Sequence, residues 1–179
     1  MAPKRLLLVK QTPSQKHIVC VPASLNPYGF QLLGESLEQD PNAFIGKLFE
    51  IRKSVFVEEQ GVPLEDELDA YDDSAIHLGV LVPDLEVVAT ARILFPDNGA
   101  GRIAKIGRVA VRHDQRGTGL GKVVMELAHQ VVEQLDINEC VLDAQVSVVE
   151  FYQKLGYLAE GEIFMDAGIE HLKMRRCRH

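Results

Sequence analysis

The sequence predicts an α/β fold in which a mixed, largely antiparallel sheet is flanked by helices, and three patterns predict it. Apolar residues at 120, 123, 124, 127, 128, 131, 132 and 135 make one long helical stripe. Residues 76–82 and 86–94 are β-rich runs divided by Pro83-Asp84, the mark of a hairpin. A glycine-rich loop, Arg116-Gly117-Thr118-Gly119-Leu120-Gly121, joins a third strand at 103–112 to the striped helix.

In chain order, residues 1–42 form an N-terminal segment punctuated by Pro13, Pro22, Pro27 and Pro41. Its short apolar pieces at 6–9 and 18–21 suit one or two strands packed on the domain that follows, residues 43–179. Phe44, Leu48, Ile51 and Val55 recur at three- and four-residue steps, one face of a helix that Gly61 and Pro63 end near Glu59-Gln60. Glu65, Asp66, Glu67, Asp69, Asp72 and Asp73 follow with no basic residue among them, so a loop or short irregular turn is expected. Pro96-Asp97-Asn98-Gly99 turns the chain into the strand at 103–112. Beyond the striped helix come a strand at 140–144, a short helix at 148–155 closed by Gly156, and strands near 157–163 and 169–175.

With 179 residues and 46% apolar content, the chain can build one continuous core. A formal charge of -7 tells against a phosphate-neutralising surface, so no nucleic acid is expected as a partner, and a cationic partner suits the balance better. Cys20, Cys140 and Cys177 are odd in number and lack CxxC spacing, which points to a reducing compartment rather than to disulfides or zinc. Leu6-Leu7-Leu8-Val9 is too short for the apolar core of a signal sequence, and no span suits a membrane helix. The expectation is a cytoplasmic protein, small enough for the nucleus as well.

At the glycine-rich loop, the backbone N–H groups of Gly117, Gly119 and Gly121 can converge on an anion at the start of a helix, where the helix dipole adds to the attraction. Arg116 and Lys122 flank the loop as phosphate partners; the alternative is a turn that only lets the helix pack closely. A Walker A loop fails, because Val123 stands where Ser or Thr must follow Gly121-Lys122 and Arg116 where the first glycine belongs. A dinucleotide fingerprint is weak, since the spacing is GxGxG and hairpins precede it.

Val109-Ala110-Val111 followed by residues 116–121 resembles the acetyl-CoA signature Q/R-x-x-G-x-G/A of the GNAT superfamily of N-acetyltransferases. Phe151-Tyr152-Gln153-Lys154-Leu155-Gly156-Tyr157 resembles the second signature, FYxxxGF. Val55-Phe56-Val57-Glu58-Glu59-Gln60, Asp69, His77, Ala91-Arg92-Ile93 and Gly107-Arg108-Val109 are similar to the ElaA-like branch, and the likeness spans residues 44–176. The resemblance implies a twisted sheet with a splayed central strand pair. It implies that the backbone of Val109, Ala110 and Val111 holds the pantetheine arm, and that Arg116, Gly117, Thr118, Gly119, Leu120, Gly121 and Lys122 hold the pyrophosphate, with Ser147 joining the cofactor contacts. The implied activity is direct transfer of acetyl from acetyl-CoA to a primary amine of a small molecule or peptide, without metal, by a monomer or homodimer. A CoA-binding regulatory module without catalysis is the alternative.

Acetyl transfer needs a proton acceptor at the amine and a donor at the departing thiolate. The resemblance gives the donor role to Tyr152; its alternative is a core tyrosine beside Phe151. Glu59, at a helix end beside the expected acceptor cleft, ranks first as base, against a solvated helix end shared with Glu58. His77 can titrate near neutrality but is also suited to a structural hydrogen bond. Asp143 and Gln145 share one strand face, and Asp143 within an apolar strand needs a partner or a function. Arg92, Arg108 and His171 interrupt strand patterns and either hold an acceptor carboxylate or pair with Asp143 and Glu59. Asp69 joins the acceptor-binding set. The acidic run 58–73 reads either as a solvated loop or as a field that draws in a cationic amine.

Overall fold

A computed structural model describes residues 5–11, 16–22, 35–36, 41–82, 86–96 and 103–178, with side chains from residue 43 onward. The described strands are β1 (Arg5–Gln11), β2 (Lys16–Pro22), β3 (Glu35–Ser36), β4 (Ile76–Leu81), β5 (Val87–Leu94), β6 (Ile103–Val111), β7 (Glu139–Gln145), β8 (Leu158–Asp166) and β9 (Ile169–Cys177). They form one mixed sheet in the order β3-β1-β2-β4-β5-β6-β7-β9-β8. Every adjacent pair is antiparallel except β6 and β7. The N-terminal strands continue the same sheet, because β2 pairs with β4 from Lys16↔Leu81 to Cys20↔His77. The turns expected at Pro83-Asp84 and Asp97-Asn98-Gly99 lie outside the described residues.

The helices are α1 (Pro41–Arg52), α2 (Leu64–Glu67), α3 (Leu120–Gln134) and α4 (Val149–Gln153). The predicted stripe on α3 buries Leu120, Val124, Leu127, Ala128, Val131 and Val132, while Val123 and Leu135 pack at its margin. Fully burying an aliphatic side chain of this kind contributes about 1.5–3 kcal/mol, so this face fixes the helix on the sheet. On the other side, Phe44, Ile45, Leu48, Ile51 and Val55 of the first helical segment form a second cluster with Leu81, Val87 and Ala110. Layers on both sides explain why every residue of β4 is buried.

The first helix continues past Arg52 as a π-helical segment, Lys53–Glu59, and stops at Gln60 before Gly61, close to the end that the glycine predicted. The acidic stretch forms α2 and a 3-10 turn, Ala70–Asp73, in keeping with a short irregular segment.

Two irregularities of β6 position the site. Between the pairs Arg92↔Gly107 and Thr90↔Ala110, two residues of β6 oppose one of β5, a β-bulge with Arg108 at φ 51. β6 and β7 pair only over Ile103–Lys105 and Glu139–Val141. Their later residues part, which is the splayed strand pair that the resemblance implied.

α1 packs against β4 at Gly79, where a Cβ would lie 2.8 Å from the Phe44 ring and 2.9 Å from Leu48 Cδ2. Both side chains are in the core, so Gly79→Ala is expected to destabilise the fold by about 1–3 kcal/mol. Gly46, inside α1 with nothing within 4 Å of its Cβ position, is the control: Gly46→Ala is expected to stabilise by about 0.5–1 kcal/mol. Urea unfolding of the two variants reads the opposite signs.

Candidate active site

The gap between β6 and β7 is lined on one wall by backbone. The amide of Arg112 bonds Val88 O at 2.9 Å, and Thr90 pairs with Ala110. Strand alternation then aims the N–H and C=O of Val111, and by the same period Val109, away from β5 and into the gap. Ala110 is a correction to the expected set: its backbone faces β5, and its side chain is buried in the α1 cluster.

At the top of this wall the chain makes a 3-10 turn, His113–Gln115, and enters the glycine loop. Gly117 and Gly119 have φ of 77 and 88, in the left-handed region, and open space lies where each would carry a Cβ. Thr118 Oγ1 donates to Gln115 O at 2.6 Å and holds the turn. Leu120 is buried in the core, so only its amide is available to a ligand. Gly121 packs near the Phe151 ring, where a Cβ would lie 3.4 Å from it. Lys122 and Ser147 are exposed at the surface, Lys122 within 3.6 Å of Glu126. These open amides at a helix start fit a diphosphate, and the backbone row on β6 fits an amide-bearing arm.

Arg116 does not point outward as a free phosphate partner. Its Nη2 donates to Glu59 Oε2 at 2.7 Å and its Nε to Val111 O at 3.2 Å. The next residue, Gln60, accepts from Gln145 Nε2 at 2.8 Å. The end of the π-helical segment is thus joined to both sides of the gap, to the β6–α3 loop through Glu59 and to the end of β7 through Gln60.

Tyr152 sits on α4 after β7, 8% exposed, with its ring against Phe151 (centroids 4.9 Å apart) and Tyr157 (5.9 Å). Among the described residues its hydroxyl has no hydrogen-bond partner, and burial pushes its pKa up to about 12. The group therefore remains a proton donor at neutral pH. His171, opposite Gln145 on β9, stacks on Phe164 (5.9 Å, 27°) and its Nδ1 lies 2.9 Å from Ile169 O.

The acidic stretch is divided: Glu65, Asp66 and Asp73 are exposed, whereas Glu67, Asp69 and Asp72 are met by three arginines from elsewhere in the chain. Arg52 bonds Glu67 Oε1 at 2.5 Å, Asp72 Oδ1 at 2.7 Å and the carbonyl of Glu67. Arg92 bonds Asp69 at 2.7 and 2.9 Å and Asp72 at 2.8 Å. Arg108, re-aimed by the bulge, reaches Glu67 Oε2 at 2.8 Å, Asp69 at 3.3 Å and the carbonyl of Asp66 at 2.7 Å. Arg92 and Arg108 therefore do not pair with Asp143 and Glu59. Asp143 is met by Lys105 at 2.7 Å. His77, 1% exposed, holds Asp72 O at 2.8 Å through Nε2 and packs on Phe49, a buried structural position.

Burial drives the Asp72 carboxyl upward, but Arg52 and then Arg92 outweigh it and hold the group below its usual 3.8. Asp69 is likewise lowered, burial being outweighed first by Arg92. At Glu67 burial wins over Arg52, Arg108 and Arg92, and the net direction is upward from 4.5. Arg52 was missed as a site residue, although a signal existed: it lies four residues after Leu48 and three before Val55, a cation on the apolar stripe.

Residues 54–177 match the family model described as an acetyltransferase (GNAT) domain. A Bacillus subtilis (strain 168) protein that carries the name of an acetyltransferase is 37% identical over 131 residues, 72% of this chain and 86% of its own. The Escherichia coli ElaA crystal structure aligns with a TM-score of 0.68 at 30% identity, over 78% of this chain and 93% of that one. A Pseudomonas aeruginosa acyl-CoA N-acyltransferase structure gives 0.67 at 33% identity, over 74% and 89%.

Truncating Arg52 to Ala leaves Glu67 and Asp72 buried without their main partner, and urea unfolding is expected to show a loss of about 3–5 kcal/mol. For Asp69 and Asp72, the lowered folded pKa means that their stabilisation is present above 3.8 and withdrawn as pH falls below it; Glu67, raised, works in the opposite sense. Stability measured against pH should fall below about pH 4 in the wild type, and less steeply in Asp72→Asn.

Proposed function

Because the chain belongs to the GNAT acetyltransferase family, in its ElaA-like branch, we propose that it moves the acetyl group of acetyl-CoA directly to a primary amine of a small molecule or peptide. The observation that carries this reading is the gap itself, a backbone row on β6 leading to a loop of open amides at the start of α3. Acetyl-CoA, when bound, supplies the activated acyl group. The gap-facing groups of Val109 and Val111 orient its amide arm, the amides of residues 117–121 bind its diphosphate, and Lys122 and Ser147 flank the mouth.

Tyr152 donates the proton that the leaving sulfur requires, and its buried ring holds the hydroxyl in one place. Glu59 holds the acceptor's ammonium group and then takes its proton. Gln145, His171 and Asp143, on the same part of the sheet, line the acceptor side. Asp69, Arg92, Arg108 and His77 act one step back, fixing the segment that follows the π-helix. No described helix is long and apolar enough to cross a membrane. A cytoplasmic setting is part of the proposal; the relatives reported above are bacterial, which gives the nuclear expectation no support.

Thermal-shift measurement with acetyl-CoA, followed by mass-spectrometric search for acetylated amines in a cell extract, tests cofactor and acceptor together. Tyr152→Phe is expected to lower kcat about a hundredfold or more with CoA affinity unchanged, read by thiol release and calorimetry. With the hydroxyl held at about 12, the ratio of wild-type to Tyr152→Phe turnover should stay flat from about pH 7 to about pH 10. Glu59→Gln is expected to lower kcat about a hundredfold, read by thiol release with the amine in excess; turnover that survives reassigns the role.

A further inference from the structure

Arg116 belongs by position to the cofactor loop, yet its side chain is spent on the acceptor side. The guanidinium joins the Glu59 carboxylate at 2.7 Å and the Val111 carbonyl at 3.2 Å, and that carbonyl faces the gap between β6 and β7. One side chain thus covers a backbone acceptor of the cofactor arm and neutralises the candidate acceptor-binding anion. The Arg116 backbone is held, its amide bonding His113 O at 3.3 Å, but both charged groups are partly exposed, 43% for Arg116 and 31% for Glu59. The pair can exchange partners without opening the fold.

We propose that the Glu59–Arg116 ion pair is a latch between the two substrate sites, opened by the cofactor's diphosphate. A diphosphate on the loop amides carries more charge than a carboxylate and competes for the same guanidinium. As Arg116 turns to it, the Val111 carbonyl and the Glu59 carboxylate are released together. Arg116 is therefore a positioning residue: it keeps Glu59 occupied until the cofactor is in place and then leaves it free for a cationic amine. Linkage makes the effect reciprocal, so the binding of either substrate favours the other. Its size is that of an exposed ion pair, about threefold in affinity.

This inference rests on the CoA reading above, and a double-mutant cycle separates the two. Calorimetry with CoA as the probe is run at one fixed low ionic strength on wild type, Glu59→Gln, Arg116→Gln and the double variant. The latch predicts that Glu59→Gln binds CoA about threefold tighter than wild type, because Arg116 no longer has a competing anion. It also predicts that adding Glu59→Gln to Arg116→Gln changes nothing. An equal gain in both backgrounds is a general charge effect and overturns the latch, as does no gain in either. If wild type fails to bind CoA, the cofactor reading falls, and the latch with it.

Discussion

The parting of β6 from β7 is the constraint on which the rest of the molecule depends. Two parallel strands that pair for three residues and then separate leave backbone donors and acceptors without a ladder partner. Unsatisfied backbone groups in an interior are costly, so such a gap persists only where water or a ligand can reach it. The flanking layers keep it open. α3 packs one face and the first helical segment the other, while α4 anchors Tyr152 beside the end of β7.

The buried charge cluster serves this opening indirectly. Arg52, Arg92 and Arg108 come from a helix, a strand and a bulge, and they converge on acids from one short segment. That segment has little apolar anchorage of its own, with Leu64, Leu68 and Tyr71 exposed. Ion pairs hold it in place of a core. Buried pairs add little net stability against apolar alternatives, but they fix geometry, since each guanidinium accepts few arrangements of its carboxylates. The segment follows directly on Glu59 and Gln60, whose placement decides how the gap is closed off.

Much of the scaffold was legible because its signals are local. The α3 stripe, the hairpin around Pro83 and the glycines before α3 each depend on neighbours in sequence, and the periods of helix and strand read them directly. The site was less legible because its bonds are not local. Arg92 meets Asp69 across 23 positions and Arg108 meets Asp69 across 39, so no window shows a run of acids being neutralised. Glu59 reads from sequence as a base or a solvated helix end, with no sign of an ion pair, because its partner lies 57 residues on. The separation of β6 from β7 is a property of register between strands, and the widening of the first helix into a π-turn has no proline or glycine within it to announce it.

The bulge at Arg108 also changes the phase of its strand. Below it, Ala104 and Ile106 point into the α3 core; above it, Val109 and Val111 pack on that side and Ala110 on the other. Even-numbered residues give way to odd ones at a single extra residue, without which Val111 would exchange faces with Ala110. The strand is therefore intolerant of a change in length at this one place. A one-residue deletion there would swap the faces of the whole upper half of β6, although every residue of the glycine loop would still be present in the chain.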